Sequence, residues 1–183
     1  MDSNQPPLGV IVATAIIAVI LQLVIAPAIT FFGIVPNFVM VAIIITAMRN
    51  TPLRSTVTGF TLGLIFDLCS LGPTGAMALV FTILAWAISS LNKGVFTGSL
   101  AIDLIIMVAA IVMGEFLTSV IYAVMGVNPS FFSSLIQVVL PAVVYDTIIG
   151  FIFLTIYNAI LGGGSSSNTR VGTGRSLTRK IKL

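Results

Sequence analysis

Residues 59–75 read GFTLGLIFDLCSLGPTG, an apolar run that carries one acid, Asp67, and closes on a Gly-Pro-Thr-Gly turn. The nearest basic residues along the chain are Arg54 and Lys93, so the carboxylate has no local partner. Composition sets the scene for that acid. Of 183 residues, 58% are hydrophobic and 7% are charged, with a mean hydropathy of +1.20. Soluble domains are about one quarter charged. This chain has too few charged groups to cover a surface facing water, and several of its apolar runs approach the roughly 20 residues that cross a bilayer as helix. The fold class is therefore all-α integral membrane, and residues 59–75 are the end of one span, a turn and the start of the next.

Working outward from that turn, hydropathy predicts spans at about residues 8–26, 31–48, 56–71, 75–91, 100–124 and 131–161, a six-transmembrane-helix bundle. Turn residues separate them: Pro27, Pro52, Gly72 to Gly75, Asn92 to Gly94 and Gly126 to Ser130. Arg49 and Arg54 fall in the second connection, Lys93 in the fourth, and Arg170, Arg175, Arg179, Lys180 and Lys182 after the last span. All eight basic residues lie on one side, which by the positive-inside rule places both termini in the cytoplasm of a multi-pass protein. Residues 1–161 are expected to form one transmembrane domain. Residues 162–183, a Gly/Ser stretch with a basic end, read as a flexible tail attracted to anionic membrane lipid. That tail has no aromatic residues to stack on bases, so nucleic acid is not an expected partner. Residues 26–28, Ala-Pro-Ala, have the form of a signal cleavage site, but no Lys or Arg precedes the apolar run, so the first span is expected to be retained.

Chemistry is narrowly bounded. The chain has no histidine and one cysteine, Cys69, which excludes an intrachain disulfide and leaves no imidazole to activate a nucleophile or bind a metal. No phosphate-binding glycine loop is present. An enzyme is not expected, nor a cofactor.

The remaining signal is polar groups in apolar runs. Asp67, Asp103, Glu115 and Asp146 all fall inside spans, where ionisable groups are costly and face the bundle interior. Asp103 sits in a first helical turn, where the helix dipole favours an anion. Asp67, Glu115 and Asp146 have no basic partner at their depth. Each must be protonated, bonded to polar side chains or helix ends, or matched by another molecule. Asn37, after Pro36, is a candidate hydrogen-bonding neighbour. For Asp67 the expectation is a protonated or capped carboxyl that braces the turn, and the protonated form would tolerate Asp67→Asn. Gly59 and Gly63 form a GxxxG pair that lets another helix approach closely, either within the chain or from a partner. Pro141 should kink the last span or free a carbonyl near mid-membrane.

Pro36 and Asn37, Arg49 and Arg54, the Gly59-Phe60, Gly63-Leu64 and Asp67 pattern, and Gly72, Pro73 and Gly75 leading into Ala78 and Leu79 together resemble the rod shape-determining protein MreD family from about residue 36 to residue 91. The resemblance implies a non-catalytic subunit of the cell-wall elongation complex in the bacterial cell membrane. It implies binding to the single-span protein MreC, with RodA, a class B penicillin-binding protein and MreB in the same complex. It also implies a fold similar to the substrate-binding subunits of energy-coupling factor transporters. Pro36, Asn37, Gly59, Gly63, Asp67, Gly72, Pro73 and Gly75 become the family-motif and partner-binding candidates, and Glu115 and Asp146 the buried polar ones. The alternative function is such a vitamin-transporter subunit. The first span lacks the Ala-x-x-x-Ala contact motif often found there and is poor in groups that would hold a vitamin.

Overall fold

The computed structural model describes residues 6–31, 33–70, 72–95, 100–127, 133 and 135–162. Among them the chain is helical: α1 (Leu8–Val24), α2 (Phe38–Ala47), α3 (Pro52–Cys69), α4 (Ala76–Val95), α5 (Leu100–Val124), a π-helical turn (Leu135–Val139) and α6 (Leu140–Gly162). The expected basic tail from residue 163, the Asn128 turn and residues 96–99 lie outside the described residues.

Local chemistry explains the boundaries. Pro52 opens α3 four residues before the expected start, because proline is pre-set for the first helical position and loses no bond there. The π-helical turn precedes Pro141, which has no N–H to give the carbonyl four residues back. The fifth span has the expected bounds.

The second span departs most. An apolar run of residues 31–48 predicts a full crossing, yet α2 has only 10 residues, roughly 15 Å of helix. Pro36 and Asn37 set its start: proline restricts the residue before it to extended backbone, and the Asn37 side chain accepts the Met40 N–H as an N-cap. Upstream, Phe31 and Ile34 pair in an isolated antiparallel bridge, with Gly33 at φ 79°. Every residue of α2 is buried. It is the central rod of the molecule, touched by α1, α3, α4, α5 and α6.

Around it the outer helices turn apolar side chains outward. Leu68, Ile105 and Trp86 are 70%, 69% and 57% exposed. Such faces belong against lipid. Two segments, Leu100–Val124 and Leu135–Ile160, are long and apolar enough to cross a membrane, and α1, α2 and the apolar part of α4 are shorter.

The closest packing joins α3 to α4. The buried residues of α3 are Ser55, Gly59, Leu62, Gly63 and Asp67, one face at helical spacing. A Cβ on Gly59 would come within 2.5 Å of the Phe81 carbonyl oxygen, and one on Gly63 within 2.5 Å of Ala78 Cα. The GxxxG face is therefore filled by the chain's own α4, so of the two approaches expected there, within the chain or from a partner, the structure shows the first.

Candidate functional site

Three groups of polar side chains lie in this apolar body, and each is tied to a helix end. The first is Asp67, 3% exposed in the last turn of α3. Its Oδ2 accepts the N–H groups of Gly75 at 2.9 Å and Ala78 at 3.0 Å, and its Oδ1 accepts that of Met77 at 3.1 Å. These belong to the first turn of α4, whose N–H groups have no intrahelical acceptor. Gly75 makes the geometry possible at φ 96°, a conformation side chains rarely adopt. The Pro73 carbonyl accepts the Ala76 N–H, and Gly72 lies against the Tyr122 hydroxyl. The capped form expected for Asp67 is the one observed. All three partners are donors.

The second group surrounds the start of α2. Besides the Asn37 side-chain cap, the Asn37 N–H donates to Asp146 Oδ1 at 2.9 Å and the Phe38 N–H to Gln22 Oε1 at 2.8 Å. Gln22 Nε2 donates in turn to the Pro36 carbonyl at 3.1 Å. Thus α1 and α6 each send one side chain to the positive end of a short helix, where an anion is favoured. Asn37 is a neighbour of Asp146 and not of Asp67. Glu115 on α5 lies beside Asp146, near enough for the two carboxyls to share a hydrogen bond.

The third group closes the other end of α2. Arg49 Nη2 meets Asp103 Oδ2 at 3.1 Å and also donates to Asn158 Oδ1 on α6. Asp103, expected only to favour its own helix start, is also the acid that neutralises this arginine. The register follows by counting. Glu115 is 12 residues along α5 from Asp103, and Asp146 is 12 residues along α6 from Asn158. At 1.5 Å per residue both lie about 18 Å from the arginine junction, at one level. Asp146 and Glu115 therefore belong together.

The structure thus gathers Pro36, Asn37, Asp146 and Glu115 into one cluster and Asp67, Gly72, Pro73 and Gly75 into another, with Gly59 and Gly63 in the seam below the second. Gln22 and Asn158 escaped sequence reading because attention went to charge. An amide alone in an apolar run carries the same signal of a buried partner. Among the described residues no group of three or more His, Cys, Asp or Glu side chains could hold a metal ion.

These features define a class: a helical membrane protein whose buried polar side chains serve the ends of its own helices. The family model described as rod shape-determining protein MreD matches residues 6–162, and the chain belongs to the MreD family. Its members are membrane proteins that determine rod shape, and the match spans every helix described above. No curated protein and no solved structure gives a match.

Proposed function

We propose that this protein is a non-catalytic, six-span subunit of the cell-wall elongation complex, binding MreC and supporting peptidoglycan synthesis alongside RodA, a class B penicillin-binding protein and MreB. The observation that carries the proposal is the family match over residues 6–162. Residues 1–161 act as one transmembrane unit with a basic cytoplasmic tail, in a fold of the kind found in energy-coupling factor substrate-binding subunits. The arginine junction supports this topology, because Arg49 brings the α2–α3 connection, the start of α5 and the end of α6 to one side. A reporter fused after Leu183 should behave as cytoplasmic, and one placed at Asn128 as external. The reverse at either site would overturn the six-span count.

With the glycine seam occupied by α4, the MreC span is assigned to the long groove between α1 and α3. That groove runs from Leu8 to Ile20 on one side and from Val57 to Ile65 on the other, with no charged residue in its lining. Two further hollows among the described residues lie toward the other end, around Gln22 and Cys69 and around Phe31 and Tyr145. Thr58→Trp or Thr61→Trp should fill the groove and reduce co-purification of MreC several-fold while the subunit still inserts. Unchanged recovery of MreC would remove this face from the proposal. The transporter alternative would be favoured instead if a vitamin raised the heat stability of the purified protein and no cell-wall protein bound it.

A further inference from the structure

The Glu115 and Asp146 carboxyls face an imbalance that the chain leaves open. Asp146 is 1% exposed, and Oδ1 already accepts the Asn37 N–H. Its Oδ2 is buried with no hydrogen-bond partner of regular geometry. Beside it stands a second carboxyl, Glu115, on a different helix. The facing groups can be named element by element. From α2 comes only the Asn37 N–H at the helix start, since residues 38–47 hold nothing charged. From α1, Gln22 is spent on Phe38 and Pro36. On α6, the hydroxyl of neighbouring Tyr145 donates to the Ile29 carbonyl. On α5, the Tyr122 ring is within electrostatic reach of Glu115 and Asp67. The described apolar part of α4, residues 76–91, carries no charge, and Arg49 is committed to Asp103 some 18 Å away.

One anion is accounted for: the positive end of α2 and its N–H favour a carboxylate at Asp146. A second, a few ångströms away in an apolar body, is not. The missing positive charge must sit between the two carboxyls. A metal ion fits poorly, because it would compete with an N–H donor and with the positive end of a helix for the same oxygens. A proton fits, since a protonated carboxyl is both neutral and a donor, and Asp146 Oδ2 is an acceptor without one.

We propose that Glu115 and Asp146 form a one-proton site that links α5 and α6 at the start of α2. Loading takes one proton from water onto Glu115. The resulting O–H donates to Asp146 Oδ2, while Asp146 stays the carboxylate that caps α2. Glu115 is partly buried. Asp67 accepts three N–H groups and Asp103 accepts an arginine, so the acceptor oxygens of both are already occupied. The pair should hold one proton near neutral pH.

The test is infrared spectroscopy of the full chain in lipid nanodiscs, reading the C=O stretch of protonated carboxyls. The parent should show one such band near neutral pH, equal in choline and sodium buffers. Glu115→Gln and Asp146→Asn should each abolish that same band and keep helix content. In the first, the glutamine amide donates to Asp146; in the second, the asparagine amide donates to Glu115 and its oxygen still receives the Asn37 N–H. A residue that merely packs would not lose its neighbour's proton in this reciprocal way. Absence of the band in the parent, its survival in either folded variant, or its replacement by a sodium-dependent gain in heat stability would each overturn the proposal. The parent spectrum alone decides if a variant does not fold.

Discussion

Gly63→Leu should prevent α3 and α4 from closing and leave most of the protein unable to leave detergent extraction as a monodisperse species. The contacts of the missing side chain decide this. A Cβ at Gly63 already falls 2.5 Å from Ala78 Cα, 2.6 Å from the Met77 carbonyl oxygen and 2.8 Å from the Ala78 nitrogen. All three are backbone atoms in the first turn of α4, the turn that Asp67 holds. A flexible side chain could swing away, whereas this backbone can yield only by breaking its cap. The expected cost is about 3 kcal/mol or more, the upper end of the overpacking range. Gly9→Leu is the control, since nothing lies within 4 Å of a Cβ there. Size-exclusion profiles of the two variants should separate clearly. A normal profile for Gly63→Leu would mean that α3 and α4 are not packed as described.

Asp67→Leu should be comparably damaging, for an electrostatic reason. It strips the acceptor from three N–H groups at the buried start of α4, and hydrogen bonds to a charged group contribute about 1.5–3 kcal/mol each. Because such losses are not additive, a total on the order of 4 kcal/mol is expected. Asp67→Asn should fall between, at about 1–3 kcal/mol. Its single oxygen can keep the Gly75 and Ala78 N–H groups while its NH₂ turns toward the Met77 N–H, donor against donor. Heat-induced aggregation midpoints in detergent should therefore rank parent, Asn, Leu. Equal midpoints for parent and Asp67→Asn would show that the carboxylate charge is dispensable.

That ranking departs from the expectation drawn from sequence only in placing Asp67→Asn below the parent, and the reason is instructive. Residues 59–75 disclosed that Asp67 braces the turn, since an acid eight residues before Gly75 can reach it only if the chain reverses there. They did not disclose what the carboxyl bonds, because N–H donors belong to every residue and leave no mark in the alphabet. The same limit hid the length of α2. Residues 31–48 are apolar throughout, so hydropathy extends the span across all of them, while Pro36 and Asn37 end it where three side chains can meet its start. Gln22 is contributed from 15 positions upstream of Asn37 and Asp146 from 109 downstream, distances no local pattern encodes. The spans, the turn and the GxxxG approach were legible because they are local. The pairing of Glu115 with Asp146 was not, because it depends on how two distant helices are rotated and staggered.

Both ends of the short central helix are bonded to α6 across 109 residues of chain, through Asp146 at its start and Asn158 beside its end. During synthesis, α2 therefore emerges long before the residues that complete it. Ten residues are too few to cross a bilayer alone, so in that interval α2 lacks part of the shell that buries it. A chain stalled after α5 would hold the Asn37 N–H and the Arg49 guanidinium without their α6 partners. Such a nascent chain is marked as unfinished at two levels. Only arrival of the last span removes both marks at once.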